Sequence, residues 1–174
     1  IFWFGSKAPD RIGYDLLSLL AGSDGTLAVV TKALVKIIPK PQDIRAITAS
    51  FETPEDASRT VSDIIAAGVL PSAVEMMDRL VIGAVEDSIH AAGYPRDAGA
   101  VLLIEIDGRV EDVDDGINKV LKICRANSAK QVKVAADEHE RKKLWAGRKG
   151  AFASMGRLGP NYIVQDGVIP RTKL

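Results

Sequence analysis

The sequence predicts an α+β chain built on a ferredoxin-like βαββαβ antiparallel sheet with helices on one face, over residues 41–136. Residues 1–40 read as a terminal piece of another α+β domain. Three observations carry this. Strand and helix periodicities alternate as β-α-β-(α)-β-α-β across residues 43–136. Helical stretches carry start and stop signals of their own. The Pro39-Lys40-Pro41 stretch interrupts the pattern, as a boundary between two units would.

Taken in order, "IFWFGS" at residues 1–6 is an apolar, strand-like run with no lead-in, which reads as a cut end of a longer chain. "YDLLSLLA" (14–21) is a short helix closed by Gly22. "TLAVVTKALVKIIPKP" is β-rich and alternates in part. "DIRAITASFE" is a strand. In the next helix Thr53 is the N-cap, Pro54 the first helical residue and Gly68 lies past the end. "SAVEMMD" is a short strand, and alternation sends Glu75 and Met77 to one face, Met76 and Asp78 to the other. "RLVIGAVEDSIHAAG" is helical, "GAVLLIEIDG" a buried strand, "VEDVDDGINKVLKICRANSA" a helix and "KQVKVAAD" a strand. A long helix capped by Asp137 covers "EHERKKLWAGRKGAFASM", and "NYIVQDGVIP" closes the chain as another strand. Val101, Leu103 and Val132 are expected to point to the core with Ile64 and Leu121.

Composition bounds the function. The 174 residues carry 23 Lys plus Arg against 23 Asp plus Glu, so no charge excess points to nucleic acid or an anionic membrane. No apolar run approaches the ~20 residues of a transmembrane helix. The single cysteine, Cys124, excludes an internal disulfide and a cysteine-based zinc site. Its helical spacing from Ile117, Val120 and Leu121 makes it a core thiol, and a reducing, cytoplasmic setting is the simplest reading. The run "DEHERKK" lacks the second histidine of a zinc-protease helix, because position 143 is Lys, and reads as a solvated first turn. His90 stands alone, so neither a metal set nor a nucleophilic triad can be built.

The sharpest signal is Arg148. At about 100° per residue it falls near the direction of Leu144, Ala151, Phe152 and Met155. A charged side chain in an apolar stripe needs an anionic partner. That partner is either a protein carboxylate such as Glu105 or Asp166, or a bound ligand. Trp145 could pack on Arg148 or wall a pocket. "GSDGT" (22–26) is a weaker signal: either a helix C-cap and tight turn, or a backbone cradle for a ligand.

At this point the residues resemble a known family. "RIGYDLLSLLAGSDGTLAVVTKALVKIIPKP" is similar to the end of the FAD-binding domain of the vanillyl-alcohol-oxidase type, whose pattern reads G-S-E-G-T-L-G, two Val or Ile, then Thr. "SAVEMMD", "AGYP", "WAGRKGAF" and "VQDGVIPR" resemble the substrate (cap) domain of FAD-linked 2-hydroxyacid oxidoreductases, closest to the glycolate-oxidase and D-lactate-dehydrogenase branches. The likeness implies that 1–40 is the C-terminal piece of an FAD domain and 41–174 the N-terminal part of a cap domain. It implies that Gly22, Ser23, Gly25 and Thr26, with Val29 and Val30, lie against FAD, and that Pro170 returns towards the flavin. It implies that Arg148 grips the carboxylate of a small 2-hydroxy acid, with Trp145 beside it. Asp24 and Ala28 depart from the pattern. Val164 stands where hydroxyglutarate-type relatives carry lysine, which argues against that subclass. No catalytic base and no metal site are expected within these residues. Further oxidase subunits, an electron acceptor and attachment to the inner face of a membrane are compatible with the likeness. The rival reading is a non-catalytic ferredoxin-like module that binds a partner or a small carboxylate.

Overall fold

The computed structural model describes residues 3–5, 13–159, 161–165 and 167. The chain divides into two compact units, Ile1–Pro39 and Lys40–Leu174.

The second unit is a four-stranded antiparallel sheet in the order β2-β3-β1-β4, the spatial order of a split βαβ fold. β1 (Asp43–Phe51) lies between β3 (Ala100–Gly108) and β4 (Gln131–Val134), and β2 (Ala73–Asp78) forms the other edge against β3. Ile47 faces Ile104 and Val134, and Met77 faces Val101. Helix α2 (Pro54–Ala66) follows β1 and starts as its sequence predicts: Thr53 Oγ1 accepts from Asp56 N at 3.2 Å, and Pro54 opens the first turn. It ends before Gly68, whose φ of 75° only glycine adopts cheaply. Helix α4 (Val110–Ala126) follows β3.

The two crossover helices share one face, as predicted. Ala57 and Ile64 of α2 and Val113, Ile117, Val120 and Cys124 of α4 meet Ile47, Ala49, Phe51, Leu102 and Ile104. The opposite face is not open. There α3 (Arg79–Glu86) and α5 (Glu138–Met155) lay Ile82, Val85, Leu144 and Ala151 onto Ala46, Met77, Val101 and Leu103. The unit is therefore three-layered. The residues expected in one core divide between two: Ile64, Leu121 and Val132 belong to the α2/α4 side, Val101 and Leu103 to the α3/α5 side. "AVLLI" in β3 is buried at every position because it is covered on both faces.

Helix α3 is shorter than its sequence suggests. Asp78 caps it, accepting from Val81 N at 2.9 Å, and it ends at Glu86. The chain beyond is drawn into a loop around that residue: Glu86 Oε1 accepts from Ala92 N, Gly93 N and Tyr94 N at 2.9, 2.9 and 3.0 Å. Three amides on one carboxylate oxygen outcompete another helical turn, and they set Tyr94 to donate to Leu144 O of α5 at 2.6 Å.

In the first unit, α1 (Leu16–Ala21) is capped by Asp15, which accepts from Ser18 N at 3.1 Å, and closes at Gly22. The β-rich stretch 26–41 forms no ladder. A strand exists only against a partner, and the described residues of this unit offer none. Its alternation leaves Leu27, Val29, Leu34, Val35 and Ile37 exposed. The closing strand expected at 161–170 is likewise absent over 161–165, and Pro170 lies outside the described residues.

Candidate functional site

Helix α5 positions the candidate site. Asp137 Oδ1 accepts from Glu140 N at 2.8 Å, and Glu140 reaches back to Ala136 N at 2.7 Å, so the first turn is fixed by a reciprocal cap. The buried side of the helix is Leu144, Gly147, Gly150, Ala151 and Ser154. Its centre lies about 75° from the stripe that an apolar count picks out. Glycine and serine are what that count misses. Arg148 is accordingly not at the centre of a greasy face but on its flank, one third exposed, and Phe152 on the same flank is exposed and packs edge-on against Tyr162 at 5.2 Å.

That flank carries Arg141, Trp145 and Arg148 at spacings of four and three, and it overlies the β2–β3 end of the sheet. Alternation along β2 lifts Glu75 to the same side as buried Met77. Arg148 Nε and Nη2 both donate to Glu75 Oε2, at 3.1 and 2.7 Å. Beside this pair, Glu105 stands opposite Ala73. Its Oε2 accepts from Arg141 Nη1 at 2.9 Å and from Trp145 Nε1 at 2.7 Å. Ala73, Glu105, Arg141, Lys142, Trp145 and Lys149 line an open depression of ≈ 500 Å³.

The partner of Arg148 is thus neither of the two carboxylates named from sequence. Glu105 is committed to Arg141 and Trp145, and Asp166 lies outside the described residues. Trp145 spends its N–H on Glu105 and walls the depression. Arg141 belongs to no solvated turn: its side chain is 20% exposed. Tyr94 was not expected either. Burial, with the nearby Glu86 charge, pushes its phenol well above the ordinary range, and Arg148 opposes the shift weakly. The signals for Arg141 and Glu75 were present: a four-three spacing on one helix flank, and a glutamate alternating with a buried methionine. No cluster that could hold a metal occurs among the described residues.

The 22–26 loop is described by itself. Asp24 and Gly25 take left-handed φ values of 47° and 75°. Ser23 Oγ donates to Leu20 O at 2.8 Å and Thr26 Oγ1 to Ser23 O at 2.6 Å. A tight turn after a helix C-cap is therefore present. The space beside the Gly25 Cα is open, and Val29 and Val30 are 86% and 72% exposed.

Residues 40–174 match the family described as FAD linked oxidases, C-terminal domain. The chain belongs to that family. Its likeness to curated proteins runs across both units. It is 49% identical to glycolate oxidase subunit GlcD of Escherichia coli strain K12, over 98% of this chain and 34% of that protein. It is 40% identical to GlcD of Bacillus subtilis, over 98% of this chain and 36% of that one. It is 32% identical to a D-lactate dehydrogenase of Anaerostipes hadrus, over 93% and 35%. The chain thus spans about a third of the length of these curated relatives. Its fold is shared with an alkyldihydroxyacetonephosphate synthase structure at a TM-score of 0.63 and 20% identity, over 85% of this chain and 30% of that one. No helix among the described residues is long and apolar enough to cross a membrane.

Proposed function

We propose that this chain is the section of a FAD-linked 2-hydroxyacid oxidoreductase that joins the end of its FAD domain, residues 1–40, to the first part of its cap domain, residues 41–174. The substrate is a small acid of the glycolate or D-lactate type, oxidised to the 2-oxo acid. The observation that carries this is the 49% identity to a glycolate oxidase subunit over 98% of the chain, which runs through both units. A free-standing non-catalytic module would not need the 22–26 loop and the α5 flank together.

Bound FAD would supply the acceptor for the hydride leaving the substrate α-carbon. Gly22, Ser23, Gly25, Thr26, Val29 and Val30 would hold it, and Pro170 is proposed to return towards it. Arg148 would take the substrate carboxylate and so orient the C–H bond, with Trp145 as a wall. Its planar fork suits a carboxylate better than a lysine ammonium would. The catalytic base, the electron acceptor and any companion subunits belong to other parts of the protein or to other proteins.

The Glu75–Arg148 pair favours a second reading, in which Arg148 only clamps α5 to β2. Two variants of the full-length protein separate the two. In Arg148→Lys, kcat/KM for 2-hydroxy acids should fall about tenfold to hundredfold, the worth of a charge-assisted hydrogen bond, while flavin content holds. Arg148→Met should lose more. Normal kcat/KM with a lowered melting temperature in the Met variant would end the substrate-binding reading and leave the clamp.

A further inference from the structure

Glu75 engages only one side of the Arg148 guanidinium. Nε and Nη2, the two donors along that side, converge on a single oxygen, Oε2. Arg148 makes no other hydrogen bond among the described residues, so the end of the fork, formed by Nη1 and the second N–H of Nη2, is uncommitted. The side chain is 33% exposed.

Resting on the assignment of Arg148 as the anchor for a substrate carboxylate, we propose that Glu75 is the residue that positions it. Glu75 holds the guanidinium plane by its side edge and leaves the end edge to form a two-point contact with a 2-hydroxy acid. An arginine has a long, freely rotating stem, and a site that lets it wander must order it each time a ligand binds. Glu75 removes that cost beforehand. Its backbone gives it a fixed base: it sits in β2 opposite Leu103, two residues before Met77, which is only 2% exposed. A carboxylate on a paired strand is a firmer reference point than one on a loop. Glu105 treats Arg141 and Trp145 the same way next door, so two glutamates on one sheet face set the orientation of the whole α5 flank.

The test uses the full-length flavoprotein and oxamate, a non-reacting carboxylate probe. Binding is followed by the change in the flavin visible spectrum and, independently of the flavin, by the rise in melting temperature on adding oxamate. Arg148→Met is the reference. Glu75→Ala should weaken oxamate about three- to tenfold, the cost of ordering one rotamer-rich side chain. Glu75→Asp should weaken it comparably, because the charge is kept but the oxygen is withdrawn by one methylene. Glu75→Gln should stay within about twofold, since an amide oxygen still accepts both N–H groups. KM for the 2-hydroxy acid should follow the same ranking, with kcat changing less. Equal or tighter oxamate binding in both the Ala and Asp variants would overturn the proposal, since Glu75 would then be a competitor. So would losses in all three variants that merely track melting temperature and flavin content. Unchanged oxamate binding in Arg148→Met would instead remove the anchor itself, and the role of Glu75 with it.

Discussion

Gly150 lies directly beneath His90: a Cβ added at Gly150 would fall 2.3 Å from the imidazole Cγ and 2.8 Å from the His90 Cβ. One turn earlier, a Cβ at Gly147 would fall 2.7 Å from the Ala92 Cβ and 2.9 Å from Tyr94 Cε2. The loop that Glu86 organises is pressed onto α5 at the two places where the helix has no side chain.

Substituting either glycine by alanine should therefore reverse the usual helix rule. In an open helix the change would gain about 0.8–1 kcal/mol. Here overpacking should cost about 1–3 kcal/mol beyond that gain. A lower melting temperature for both Gly147→Ala and Gly150→Ala, by about 2–4 °C per kcal/mol lost, is the expected result. Stabilisation by either would show that the loop does not sit on α5.

Glu86→Ala should be costly and Glu86→Gln mild. The alanine variant strands three amides that now share one oxygen, and losing hydrogen bonds to a charged acceptor costs about 1.5–3 kcal/mol. The glutamine variant keeps an acceptor oxygen. Urea denaturation of the pair, with hydrogen exchange at Ala92, Gly93 and Tyr94, reads both effects. Equal stability of the Ala variant and the parent chain would remove the carboxylate from its role.

Tyr94 makes stability depend on alkaline pH. Its phenol titrates well above the unfolded value near 10, so above about pH 10 the unfolded chain releases this proton and the folded chain keeps it. The folded state then binds more protons, and the contribution of Tyr94, complete below pH 10, declines by about 1.4 kcal/mol per pH unit as pH rises. Tyr94→Phe loses the bond to Leu144 O, worth about 0.5–1.5 kcal/mol at pH 8. The stability gap between the two proteins should narrow from pH 9.5 upward. A gap that stays constant to pH 10.5 would contradict the shift.

Cys124 should be inert in the folded chain. It is fully buried, and burial raises its thiol to about 11, so little thiolate exists at pH 8 and none is within reach. Iodoacetamide should label it only after denaturation. Stoichiometric labelling of the native protein would place the α4 face in solvent.

The 174-residue chain by itself should not retain FAD. Ser23 and Thr26 spend their hydroxyl protons on backbone carbonyls, and Val29 and Val30 offer a face without walls, so most of a bound ligand would stay in water. A purified chain carrying one FAD per molecule would refute this.

Much of this was legible in the sequence, and the failures have physical causes. Thr53 and Asp137 were readable as caps because a cap is a local contract between neighbours. The alternation of Glu75, Met76, Met77 and Asp78 was readable for the same reason. What could not be seen was the second helical layer, because a period measures the direction of one face and not what covers the other. The hint was in β3, where "AVLLI" does not alternate at all. The α5 face was misread because its innermost positions, Gly147 and Gly150, are small for tertiary reasons that no apolar count weighs. The partner of Arg148 was out of reach too, since which carboxylate arrives opposite a helix depends on strand order. Residues 26–41 gave a strand pattern without a strand, because a ladder belongs to two segments and the pattern to one.

Because β3 sends alternate side chains into two separate cores, the unit holds two insulated packing problems joined at a spine. A substitution at Val120 is felt by Leu102 and Ile104, and one at Ile82 by Val101 and Leu103. Such pairs share no side-chain partner, so their energetic effects should simply add, whereas pairs within one layer should not. Side chains in the layer that bears α5 can thus be exchanged while the other layer acts as an unchanged keel.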